Sequence, residues 1–204
     1  MAERESIEWC DIYVTNVNTE ALPRVLLIGD SICLNYCGQV TRDLAGKYAC
    51  GHLATSFSIC AAAYEKHLAF VLDQYRFAVI HFNNGLHGWE YDEEAYAKSL
   101  PRVLDFMARR SSGSKLIWAS STPFRKKGAL NEFDAETIDR LRERNRIAGE
   151  IVASRGIPID DLFSLVEDHP EFYSEDACHF NPVGQEVLGH RVAESIRAVV
   201  SKHQ

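Results

Sequence analysis

Short apolar runs alternate along the chain with longer stretches whose apolar positions recur every three or four residues. Val25-Leu26-Leu27-Ile28 is continuous and apolar and ends at Gly29, the pattern of a strand buried on both faces. His52 to Phe57 reads as a weaker second strand, Phe77 to Phe82 as a third that runs into the polar turn Asn83-Asn84-Gly85, and Lys115 to Ala119 as a fourth. Ile157 to Asp160 is a fifth; Pro158 lacks an N–H, which puts this strand at a sheet edge.

Between the strands the period changes. Glu93 to Arg109 sets Tyr96, Leu100, Val103, Leu104 and Met107 on one helical stripe. Asp134 to Ser154 repeats the design with Ile138, Leu141, Ile147, Ile151 and Val152, and its charges at Arg140, Arg142, Glu143 and Arg144 are expected on the outer side. The segment from Val40 to Tyr48 also reads as helical. A last helix opens at Pro182, where a missing N–H costs nothing, and continues to Val199. Strand and helix in turn predict one α/β domain over 1–204, a three-layer α/β/α sandwich on a mostly parallel, flavodoxin-like sheet of about five strands.

Hydrophobic residues make up 46% of the 204 and charged residues 25%, ordinary globular usage. The net charge of −7 argues against a nucleic-acid partner. Arg125-Lys126-Lys127 is the basic run, expected as a solvated loop. Met1 to Trp9, with Glu3, Arg4, Glu5 and Glu8, has no apolar core of a signal peptide, and no stretch has the length of a membrane span. The expectation is a cytoplasmic protein without a membrane partner. Six cysteines with no CxxC pair then read as reduced thiols, with no metal site and no cofactor.

In an open parallel sheet, ligands gather beyond the carboxyl ends of the strands, so the residues just after each strand carry the chemical information. The first strand runs straight into Gly29-Asp30-Ser31. A serine there projects its hydroxyl into the cleft, and its own N–H can help hold an oxyanion. The hydroxyl needs a base, and the base needs something to orient it. Asp176-Ala177-Cys178-His179, ahead of the last helix, offers both: the carboxylate takes the Nδ1 proton and leaves Nε2 for Ser31.

Gly29-Asp30-Ser31 after the first strand, with Asp176-x-x-His179 before the last helix, resembles the GDSL or SGNH hydrolases, over about residues 23–200. The resemblance implies a cofactor-free serine esterase acting on a small-molecule ester, with a short acyl group such as a carbohydrate O-acetyl as the guess at its substrate. It also implies two further blocks that supply oxyanion donors. Where the family has a glycine after the second strand, this chain reads Ser58-Ile59-Cys60-Ala61, and a backbone N–H such as that of Cys60 is the candidate. Where the family has Gly-x-Asn-Asp after the third, this chain reads Asn83-Asn84-Gly85-Leu86-His87-Gly88; aligning on the glycine puts His87 at the Asn position, and Asn83 and Asn84 remain alternatives. These two departures motivate a rival reading, a domain that keeps the fold, lacks productive chemistry and binds a small sugar or nucleotide.

Each residue also has a bland reading. Ser31 can cap a helix, Asp30 can serve the turn, and Asp176 with His179 can belong to a surface loop. Cys178 lacks a separate base, Cys33 and Cys37 suit packing, and Trp89 and Tyr91 suit either a sugar-stacking face or the core. His52, His67, His81, His169, His190 and His203 show no pairing pattern in sequence.

Overall fold

The computed structural model describes residues 5–201. Residues 1–4 of the charged N-terminal stretch, and His203, lie outside them. The elements in chain order are β1 (Cys10–Val14), β2 (Arg24–Gly29), α1 (Ser31–Leu44), β3 (Ala49–Thr55), α2 (Ala62–Leu72), β4 (Val79–Phe82), α3 (Glu93–Arg110), β5 (Lys115–Ala119), β6 (Arg125–Lys126), β7 (Ala129–Phe133), α4 (Ile138–Ser154), β8 (Ile159–Asp160), α5 (Leu162–Val166) and α6 (Pro182–Ser201).

The main sheet has the order β1-β3-β2-β4-β5-β8. β2 pairs in parallel with both β3 and β4, β4 with β5, and β5 with β8. The five parallel strands therefore follow the flavodoxin order, and β8 is an edge, as Pro158 required. β1 is a sixth strand, antiparallel to β3 at the opposite edge. It was not expected, because only Ile12 and Val14 of its five residues turn inward to the core.

Burial on both faces explains the continuous apolar run of β2. Val25 and Leu27 pack with Tyr36 and Val40 of α1 and Leu188, Val192 and Ile196 of α6. Leu26 and Ile28 pack on the other face with Leu68 of α2, Leu100 and Val103 of α3, and Val152 of α4. The sheet is thus enclosed by α1 and α6 on one side and α2, α3 and α4 on the other. Among the described residues no helix is long and apolar enough to cross a membrane.

Three expectations need correction. α1 begins at Ser31, well before the Val40 to Tyr48 stretch that the pattern favoured, and ends within that stretch at Leu44. Arg125 is buried, not solvated: it opens the β6–β7 hairpin, donates to the carbonyls of Val166 and Glu167, and its guanidinium lies over the Phe133 and Tyr173 rings. Arg144 does not face outward. It is 1% exposed and donates to the carbonyl oxygens of Gly85, His87, Gly88 and Tyr91 at 2.9–3.1 Å, with Glu93 beside its Nε. The histidines, too, find partners that spacing did not reveal: His81, wholly buried, bonds Asp160, and His52 and His190 bond Asp11 and Asp43.

Arg144 therefore does for the loop after β4 what a helix or strand would otherwise do, giving its carbonyls donors in a dry interior. Replacing it with Met leaves that group of acceptors unsatisfied. Arg144→Met is expected to destabilise by about 3–5 kcal/mol, a fall in Tm of roughly 10 °C for a chain of this size. Thermal unfolding followed by circular dichroism checks this, and an unchanged Tm would contradict the role given to the guanidinium.

Candidate active site

The reversal of strand order beside β2 creates a crevice at the carboxyl ends of β2 and β4. Asp30 is the whole connection between β2 and α1. Its Oδ1 accepts the Ile32 N–H at 2.9 Å, so the helix starts at Ser31. Such an abrupt turn brings the first helical turn close to the strand end: a Cβ on Gly29 would lie 2.6 Å from Cys33 Cβ, a position only glycine tolerates. Ser31 is the first helical residue, and its N–H is one of those that a helix leaves without an intrahelical partner.

The loop before α6 is built just as firmly. Asn181 Oδ1 accepts the Val183 and Gly184 N–H groups, capping α6 ahead of Pro182, while its Nδ2 donates to Glu171 and Tyr173 carbonyls. Ala177 adopts a left-handed φ of 66°, unusual for a residue with a Cβ, and is held there by the Arg125 N–H donating to its carbonyl. This turns Asp176 back over the segment. Its Oδ1 accepts the Cys178 and His179 N–H groups, and its Oδ2 accepts His179 Nδ1–H at 2.7 Å. The Ser31 hydroxyl donates to His179 Nε2 at 2.8 Å, across 148 positions of sequence.

The other candidates are placed differently. Asn83 is buried, and its Nδ2 donates to Ala119 O and Ser121 Oγ. Asn84 bridges the loops after β3 and β4: Oδ1 accepts the Ile59 N–H and Nδ2 donates to Phe57 O, leaving one amide hydrogen. The Cys60 N–H is taken by Ser58 Oγ, and its side chain packs toward α2 and α3. His87 follows Leu86 on the loop gripped by Arg144, with its Nδ1–H donated to Glu5. Gly88, with a φ of +74°, ends that stretch where an added Cβ would strike Ser58. Trp89 is partly buried and packs against the core, under the guanidinium groups of Arg140 and Arg144.

Electrostatics separates the acids by role. Partial burial works against ionisation of Asp176, but the two N–H groups and the His179 ring outweigh it and hold the carboxyl below the usual carboxylate range. Burial pushes Asp30 the other way, opposed by the charges of His87 and His179 and by the Ile32 and Cys33 N–H groups. Cys178, beside the imidazole, is pushed up to about 12 by burial and then by Asp30, Asp176 and Glu5, so it stays a thiol. Among the described residues no group of three or more His, Cys, Asp or Glu side chains is arranged to hold a metal.

No protein-family model matches this sequence, and no curated protein matches it either. Solved structures do match. An aryl esterase of Mycobacterium smegmatis superposes with a TM-score of 0.70 at 14% identity, over 86% of this chain and 99% of its own. A GDSL-like lipase from Bacteroides thetaiotaomicron gives 0.67 at 13% identity, over 86% and 88%. The C-terminal catalytic domain of a peptidoglycan O-acetyltransferase from Streptococcus pneumoniae, solved with a methylsulfonyl adduct, gives 0.65 at 17% identity, over 88% and 96%. The fold of this chain is that of the GDSL/SGNH hydrolases.

The raised Asp30 carboxyl makes a signed prediction. A carboxyl that is harder to ionise in the folded than in the unfolded chain costs stability once charged. The cost is absent below the ordinary carboxylate range and grows as pH rises through the folded-state value. Asp30→Asn keeps an oxygen for the Ile32 N–H and removes the charge. The Tm of this variant, minus that of the wild type, is expected to increase from pH 4 to pH 7 in thermal melts; a difference that stays flat or declines would refute the assignment.

Proposed function

We propose that the protein is a serine esterase of the SGNH type that hydrolyses a short acyl ester. The observation that carries this reading is the continuous hydrogen-bonded line from Ser31 Oγ through His179 to Asp176. Ser31 attacks the ester carbonyl while His179 Nε2 takes its proton, and Asp176 holds the ring in the required tautomer and offsets the imidazolium charge. The oxyanion that forms on the carbonyl oxygen meets the Ser31 N–H and a side-chain donor from the loop after β4, Asn84 or His87. His179 returns the proton to the leaving alcohol, and water repeats the attack on the acyl-enzyme.

The resemblance of fold supports the reaction class. The substrate is inferred from the rim itself: the His179 and Asp176 side chains are 37% and 50% exposed, so the reacting groups lie open at the surface. An open rim suits a small acyl group carried on a bulky soluble alcohol, such as an O-acetylated carbohydrate, better than a long chain that must be desolvated.

Ser31→Ala is expected to reduce p-nitrophenyl acetate hydrolysis by a factor on the order of 10³ or more, and to abolish labelling by a fluorophosphonate probe. Activity retained in that variant would remove Ser31 from the mechanism. Unlabelled wild-type protein that is nonetheless stabilised by a sugar or nucleotide would favour a binding domain instead. Asp176→Asn keeps the shape and loses the charge, and a fall in kcat of about 10² to 10⁴ is expected from the same assay.

A further inference from the structure

The chain entering β1 lies at the carboxyl end of β3, where Cys10 pairs with Thr55. Trp9 lies against the end of β3: its N–H donates to Ser56 Oγ, and its carbonyl accepts from the Ser56 N–H and the Thr55 hydroxyl. Four residues earlier, Glu5 Oε1 accepts the Nδ1–H of His87 at 2.6 Å. The Trp9 indole stands edge-on to the same imidazole, with ring centroids 6.5 Å apart. His87 is thereby fixed from three sides, since Arg144 holds its carbonyl as well. Its side chain is 15% exposed. Its Nε2 makes no hydrogen bond among the described residues and is not enclosed.

This is a second imidazole–carboxylate pair at the rim that already holds His179 and Asp176. The charges of both rings reach Asp30, the residue before Ser31, and those of Glu5 and Asp176 both reach Cys178, the residue before His179. Of the side chains named above as oxyanion donors, Asn84 spends its oxygen and one amide hydrogen on the loop after β3 and is held there by both, whereas His87 has a whole ring nitrogen without a hydrogen bond among the described residues.

We infer that His87 Nε2–H is the side-chain donor to the ester carbonyl oxygen, and that Glu5 is its positioning residue, contributed by the segment ahead of β1. This rests on the esterase reading above and deepens it. In this role the ring carries a proton on both nitrogens: Nδ1–H goes to the Glu5 carboxylate at 2.6 Å, which sets the ring plane and faces the imidazolium charge, and Nε2–H is left for the carbonyl oxygen. No proton is transferred in this role; the hydrogen bond strengthens as the carbonyl oxygen becomes an alkoxide.

Four variants test it with p-nitrophenyl acetate: Glu5→Ala, Glu5→Gln, His87→Ala and the Glu5→Ala/His87→Ala double variant, each checked for Tm. His87→Ala is expected to lower kcat by about 10². Glu5→Ala should lower kcat about tenfold with little change in KM, and the double variant should be no worse than His87→Ala, because Glu5 acts through the ring. Glu5→Gln still offers an oxygen to Nδ1–H but no charge, and should recover part of the loss. A Glu5 that merely ties down the chain predicts a lowered Tm, no rescue by Gln and losses that multiply in the double variant; that result, or wild-type kcat in Glu5→Ala, overturns the inference. Fluorophosphonate labelling of Ser31 separates the two levels. Wild-type protein that neither labels nor hydrolyses brings down both readings, and an active, labelled enzyme indifferent to Glu5 brings down this one alone.

Discussion

The Asp30 carboxylate accepts the Ile32 N–H 2.9 Å away, one residue after a buried strand ends. That bond lets β2 become α1 with no loop between them, and so sets the Ser31 hydroxyl at the mouth of the crevice and not inside a turn. A cap of this kind contributes about 1 kcal/mol, while burying an unpaired carboxylate costs several. Asp30 is 2% exposed and its Oδ2 has no hydrogen-bond partner among the described residues. The cap alone does not offset that cost. The two imidazoles within reach of the carboxylate, His87 and His179, supply part of the difference, which ties the stability of the turn to the residues gathered around it.

The three loops that surround Ser31 are each fastened by buried polar bonds to a different part of the molecule. Arg144 of α4 and the Tyr96 hydroxyl of α3 hold the loop after β4. Asn84 joins that loop to the one after β3. Asn181 and the β6–β7 hairpin hold the segment with Asp176 and His179. Side chains so fixed lose little freedom when a ligand arrives, which is the physical meaning of preorganisation in a site that relies on a few hydrogen bonds.

Much of this was readable in the residues. β5 falls on the apolar run Lys115 to Ala119, α3 on its stripe with one residue more, and the meeting of Ser31 with His179 followed from their positions at strand and helix ends. The misses have physical causes. α2 opens with Ala61 and Ala62 and no side-chain cap, so nothing marks its start. The β6–β7 hairpin has few inward apolar positions, and its buried member is the charged Arg125. Arg144 lies on the stripe with Leu141, Ala148 and Val152, a spacing that was available as a signal; its charge argued for the outside, and only the carbonyls of a loop more than fifty residues away in sequence make the inside tolerable. The Glu5–His87 contact spans 82 positions and depends on the unexpected β1, so no local pattern could announce it.

The pairing of α1 with α6 brings the second residue of the contact between Ser31 and His179 from late in the chain. A ribosome making this protein releases the hydroxyl early, with strand β2, and the imidazole only after every strand of the sheet has been synthesised. Nascent and truncated chains therefore carry the serine without its base. Reactivity of the hydroxyl becomes a property of the finished tertiary structure, absent from any fragment that stops short of His179.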